Sequence, residues 1–190
     1  MNYINKLIFS FILISLFISI FFIPSIISND LSTNIPEYLE PNQNGYNWPI
    51  PGYTRISSPF GRRYAPTTGA STFHTGIDLP APEGTDLIAI NDGTISFTGF
   101  LGGGGYTITL SFENIKVSYC HVSPKYIVNV GDSVLKGQVI GHVGPTIVYG
   151  VKGNQYSDNK GNPTNGATTG CHLHFGFRID NAYHNPLDFY

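Results

Sequence analysis

The chain is predicted to be all-β: a compact antiparallel sheet of the barrel or sandwich kind, carrying long loops on the rim of a groove. Three observations predict it. Charged residues make up only 12% of the 190, while 22 glycines and 13 prolines punctuate the chain. No stretch of twelve residues in the body sustains the 3.6-residue period of an amphipathic helix. From Trp48 onward, short β-prone runs alternate with turn residues, the pattern of strands joined by tight connections.

The elements follow in order. Residues 7–28 carry no charge and no polar side chain except serine, with Lys6 before them and Asp30 after. As a helix, a run of that length spans about 33 Å, enough for a hydrocarbon core. Residues 1–28 are therefore read as a membrane anchor, with a cleaved signal peptide as the alternative. Lys6 on the leading side predicts the body outside the membrane. No cysteine follows the run, which argues against a lipid anchor. Residues 29–47, with Pro36, Pro41 and several asparagines, read as a flexible linker. Residues 48–190 are the working domain.

Within that domain, 85–90 and 93–98 read as strands separated by Asn91-Asp92-Gly93, a hairpin-type signal. Residues 106–112 alternate Ile108 and Leu110 with threonine and serine, and 116–121 and 139–143 are further short strands. The four glycines 102–105 read as a hairpin tip, since no Lys-Ser/Thr follows to make a phosphate loop. The polar loop 145–167 is long for a compact domain, and loops of that length are usually functional or mobile. A formal net charge of −2 leaves no basic footprint for nucleic acid.

Six histidines stand out in a chain with so few ionisable groups. His74 and Asp78 are four apart, and His172 and His174 two apart, so each pair shares one face of an extended strand. Gly76, between His74 and Asp78, is read as leaving room for an ion. Leu173 and Phe175 then point to the core. His121 is expected on the face of Val117 and Tyr119. Imidazole nitrogen and carboxylate oxygen suit a zinc ion, and a catalytic zinc keeps three protein ligands. His74, Asp78 and one of the His172/His174 pair supply that set, and the remaining histidines are free for acid–base work. His142 and His184 are assigned solvated or structural roles. There is no His-Glu-x-x-His and no Gly-x-Ser-x-Gly. A Cys–His nucleophile at Cys120-His121 or Cys171-His172 is disfavoured, because adjacent strand residues face opposite ways.

The stretches Ser58-Pro59-Phe60-Gly61-Arg62-Arg63, His74-Thr75-Gly76-Ile77-Asp78, Tyr119-Cys120-His121-Val122 and His172-Leu173-His174-Phe175 resemble the lysostaphin-type zinc endopeptidases of the M23 family. The glycine-punctuated segment from Val130 to Gly141 and the ending Asn185-Pro186-Leu187 resemble it too, so the likeness covers about residues 55–188. It implies a peptidase domain in which His74, Asp78 and His174 bind Zn²⁺, while His121 and His172 are catalytic and not ligands. It further implies hydrolysis of peptide bonds in bacterial peptidoglycan, at the outer face of the cytoplasmic membrane or in the cell wall. The alternative is a catalytically silent wall-binding scaffold or activator of the same fold. A biotinyl- or lipoyl-type carrier, suggested by residues 131–141, is the weaker option because Lys136 lacks the flanking signature. Against the family pattern, loop 145–167 is long and is expected to border the substrate groove, with the glycine run on another wall. Cys120 and Cys171 are expected on the face away from the metal, as free thiols in preference to a cross-strand disulfide.

Overall fold

The computed structural model describes residues 45–190; the expected anchor or signal segment 1–28 and most of the expected linker lie outside the described residues. The last three linker residues are held on the domain. Tyr46 packs on Phe112 and Phe177, with ring centroids at 5.7 and 6.0 Å. Asn47 N–H donates to Ile90 O at 2.9 Å. The packed domain therefore includes 45–47.

The described residues contain eleven strands and no α-helix: β1 Gly61–Arg62, β2 Phe73–His74, β3 Gly76–Pro80, β4 Asp86–Ile88, β5 Gly93–Phe100, β6 Tyr106–Phe112, β7 Ile115–Cys120, β8 Ser133–Val134, β9 Val139–His142, β10 His172–Ile179 and β11 Ala182–His184. All pairings between these strands are antiparallel, as the sequence predicts. The main sheet runs β11-β10-β7-β6-β5-β8, and β3 also pairs with β10. One edge of β10 is divided: His172–Gly176 pair with β3 and Phe177–Ile179 with β11. Its other edge pairs with β7. Two small sheets, β1-β2 and β4-β9, complete the fold.

Two local expectations are corrected. Strands β4 and β5 do not form a hairpin about Asn91-Asp92-Gly93, because β4 pairs with β9 while β5 pairs with β6 and β8. The turn residues are committed elsewhere: Asp92 Oδ1 accepts from Lys136 N–H at 2.7 Å, so the segment steps from one sheet to the other. His74 and Asp78 are also not on one strand. A bend at Thr75 separates β2 from β3, and each strand pairs with a different partner.

The core lies under one face of the main sheet. Ile77 and Leu79 of β3, Ile108 and Leu110 of β6, Val117 and Tyr119 of β7, and Leu173, Phe175 and Phe177 of β10 are all buried there. Each large apolar side chain so buried contributes about 1.5–3 kcal/mol. Tyr119 joins the two sheets: its hydroxyl donates to Ile88 O at 3.0 Å and accepts from Ile90 N–H at 3.2 Å. The alternation that fills this core aims every second residue of β3, β7 and β10 at the opposite face, and the site is there.

Candidate metal centre and its groove

Along β10, Leu173, Phe175 and Phe177 enter the core, leaving His172, His174, Gly176 and Arg178 to line a groove of about 790 Å³. His174 lies directly opposite Asp78 on β3 and, on its other side, opposite Cys120 of β7. His74 reaches the same point from β2. The Asp78 Oδ1 atom stands 3.0 Å from both His74 Nε2 and His174 Nδ1, and those two nitrogens are 2.8 Å apart. The close approach of β3 to β10 depends on Gly76. A Cβ there would meet Phe175 O at 2.3 Å. This glycine serves strand pairing, not room for an ion as expected from its place between His74 and Asp78.

Backbone carbonyls fix the proton positions. His74 Nδ1–H donates to Pro59 O at 2.8 Å, so in the neutral ring Nε2 presents a lone pair. That lone pair faces a carboxylate oxygen and a second imidazole nitrogen. One proton on His174 Nδ1 cannot satisfy both neighbours, whereas a cation among the three atoms can. Two imidazole nitrogens and one carboxylate oxygen form the donor set of a catalytic zinc site, and His74, Asp78 and His174 are the metal-capable cluster among the described residues. Burial opposes the charge on Asp78, but contacts from His172, His174 and His74 outweigh it and hold the carboxyl well below the usual range.

His172 and His121 stand beside this trio. The Nδ1–H of His172 donates to Gly170 O at 2.9 Å, leaving Nε2 3.5 Å from Asp78 Oδ1. The Nδ1–H of His121 donates to Asn165 O at 2.6 Å. Their ring centroids are 4.6 Å apart. Burial, followed by repulsion from His172 and His174, pushes the His121 ring well below the ordinary histidine value, so it is neutral near pH 7.

All five residues anticipated from the sequence thus meet at one groove, but His121 arrives by an unexpected route. Val117 and Tyr119 are in the core, while Ser118 and Cys120 line the groove. Strict alternation would send His121 into the core. Its φ of +59°, uncommon for a non-glycine residue, turns it back onto the groove face beside Cys120. The cysteines are accordingly not behind the metal: Cys120 and Cys171 both line the groove, and both are free. Burial pushes the Cys120 thiol up to about 11, a poor state for a nucleophile. His142 and His184 lie outside the groove; His142 Nε2 stands 3.3 Å from Asp86 Oδ1.

The loops are also redistributed. Leu101, Gly103 and Gly104 form part of the wall, as expected of the glycine run. Of 145–167, only Ala167 lines the groove. Tyr156 instead stands behind the wall, so close that a Cβ on Gly69 would meet its ring at 2.9 Å. Sequence reasoning assigned no role to Arg63, whose Nη1 donates to Ser58 Oγ at 2.6 Å and to Asp78 Oδ2 at 3.3 Å. The run from Ser58 to Arg63 was the available signal. Asn165 carried no such signal. It is fully buried, with Oδ1 accepting from Tyr106 N–H at 2.8 Å and Nδ2 donating to Val122 O at 3.0 Å.

The chain is similar to known proteins. The chain is 36% identical over 146 residues to the DD-carboxypeptidase/endopeptidase Mpg of Neisseria meningitidis, a match covering 76% of this chain and 29% of that protein. It is 30% identical over 136 residues to the peptidoglycan DD-endopeptidase ShyC of Vibrio cholerae, covering 70% and 27%. The chain thus spans less than a third of the length of these curated relatives. Among solved structures, the catalytic domain of lysostaphin from Staphylococcus simulans superposes with a TM-score of 0.56 at 30% identity, covering 72% of this chain and 91% of that one. Csd3 of Helicobacter pylori gives 0.55 at 27%, covering 78% and 37%. The profile of peptidase family M23 matches residues 72–186, a span that holds His74, Asp78, His121, His172 and His174 together, and the chain belongs to that family.

Proposed function

We propose that this chain is a zinc-dependent endopeptidase that hydrolyses peptide bonds in the cross-links or stem peptides of bacterial peptidoglycan. The observation that carries the reading is the trio of donor atoms 2.8–3.0 Å apart, with two further imidazoles fixed beside it. His74 Nε2, Asp78 Oδ1 and His174 Nδ1 would hold the ion. Bound there, zinc supplies Lewis-acid polarisation of a carbonyl and a water of lowered pKa.

The protein's own contribution is proton handling in a groove with one wall of glycine backbone. Because Gly170 O and Asn165 O hold the Nδ1 protons of His172 and His121, each ring offers a bare Nε2. Either can accept the proton of the attacking water and, once charged, donate to the developing oxyanion or the departing amine. Asp78 is the carboxylate of the trio, and Arg63 keeps its Oδ2 engaged. The similarity to Mpg and ShyC supports the substrate class, and the uncharged run 7–28 supports action at the outer face of the cytoplasmic membrane or in the wall.

The test is mass spectrometry of fragments released from defined peptidoglycans by the full chain, with and without a zinc chelator. Zinc-dependent release of cut peptides is expected. Wall binding without release from any wall type would overturn the enzymatic reading in favour of a silent scaffold.

A further inference from the structure

Beyond His174, the groove-facing row of β10 continues through Gly176 to Arg178, at about 7 Å for every two residues. Arg178 is half-buried, and no carboxylate among the described residues forms an ion pair with it. Its Nε is buried without a hydrogen-bond partner. Its Nη2 donates to Ser118 Oγ at the long distance of 3.4 Å. Tyr183, its partner across β10 and β11, lies against the guanidinium with the ring centroid 5.5 Å away. On the other edge its register partner is Lys116. Like charges directly opposite destabilise a sheet, and neither has a carboxylate partner among the described residues: Lys116 Nζ donates to Asn181 Oδ1 at 3.3 Å. Arg63 differs in being committed to Asp78.

Gly176 leaves the floor bare between His174 and Arg178. A Cβ there would meet nothing closer than Thr75 O at 3.4 Å, so crowding does not impose the glycine. The result is a cradle next to the histidine–aspartate trio, with a guanidinium that has no ion-pair partner among the described residues at its far end, a hydroxyl on its side and an aromatic ring behind. A planar fork of N–H donors with spare capacity matches a carboxylate.

We propose that Arg178, Ser118 and Tyr183 form a subsite for a carboxylate of the peptide being cut, so that the preferred substrates carry a free acid a short distance from the scissile bond. This deepens the peptidase reading above and rests on it. Neutral glycyl bridges lack the group that the subsite takes.

Three synthetic cross-linked peptides test the idea: one with all carboxyls free, one with its C-terminal carboxyl amidated, and one with its side-chain carboxyl amidated. Zinc-loaded full-length protein is assayed for kcat/KM and for binding of each. One of the two amidations is expected to lower kcat/KM about tenfold, the worth of a charge-assisted hydrogen bond, mainly through KM, and which one identifies the carboxylate. Arg178→Gln is expected to bring that ratio close to one and Arg178→Lys to retain part of it. The wild-type ratio is also expected to shrink with added salt, a readout that needs no variant. Equal handling of all three peptides by wild type, or an unchanged ratio in Arg178→Gln, overturns the subsite while leaving the peptidase intact. If none is cleaved, the peptidase reading fails, and the binding ratios alone still decide the subsite.

Discussion

Arg63 grips Asp78 from the side opposite the histidines: Nη1 of the arginine stands 3.3 Å from Oδ2, while Oδ1 faces His74 and His174 at 3.0 Å. The carboxylate is thereby shared between the Arg63 guanidinium and the two imidazole nitrogens. Replacing Arg63 by Met frees the carboxylate to rotate. Partners of this kind are typically worth about 10–100-fold in metal affinity, so zinc titration of the variant should show a loss in that range with the fold intact. Unchanged affinity would mean that the strand pairing alone orients Asp78.

His121 and His172 should separate metal binding from turnover. His121→Ala and His172→Ala are expected to retain zinc near the wild-type level and lose about 10²–10⁴-fold in kcat, the usual worth of a positioned acid or base. Metal analysis alongside peptide hydrolysis checks both. A His172→Ala variant with full activity would refute its role.

Gly76→Ala should disturb the metal centre from underneath. Its Cβ would collide with the backbone at Phe175 O, pushing β3 away from β10 and Asp78 away from His174. Overpacking of this sort costs about 1–3 kcal/mol, so both the denaturation midpoint and zinc affinity should fall. A variant that loses stability but binds zinc normally would show that β3 can slide without moving the carboxylate.

Tyr119→Phe tests the tie between the sheets. It leaves Ile90 N–H and Ile88 C=O without their hydroxyl partner in a fully buried setting, at a cost of about 1–3 kcal/mol. Urea denaturation should register that loss with little change in zinc content.

Cys120 should be slow toward thiol reagents. With its thiol pushed up to about 11 by burial, only about one part in a thousand is thiolate at pH 8. Native protein is expected to react quickly at half-buried Cys171 alone, and protein denatured without reductant at both. Fewer than two thiols after denaturation would indicate a disulfide.

The sequence made the grouping of histidines on one face and the β class legible for one physical reason: strands write their faces into every second residue. His172 and His174 straddling Leu173 are legible on that rule, as is the core row of Leu173 and Phe175. The rule fails where the backbone leaves the strand. The direction of His121 depends on a left-handed φ in a residue that rarely adopts it, and the convergence of His74 with Asp78 depends on a bend at Thr75. Nor does composition reveal that Asn91-Asp92-Gly93 crosses between sheets, since its commitment to Lys136 is made 44 residues away. The guanidinium of Arg63 was visible within a motif, but its partner became apparent only in three dimensions. Loop 145–167 was visible as an insertion, yet its place behind the wall is set by the contact of Tyr156 with Gly69.

Because His174 and Arg178 are borne by one strand, fastened on both edges, β10 works as a ruler. Changes in the surrounding loops can alter what enters the groove, but they cannot lengthen the interval between the histidine–aspartate trio and the guanidinium at the strand's far end. In any reshaping of this domain the measure would stay fixed while the gate varied.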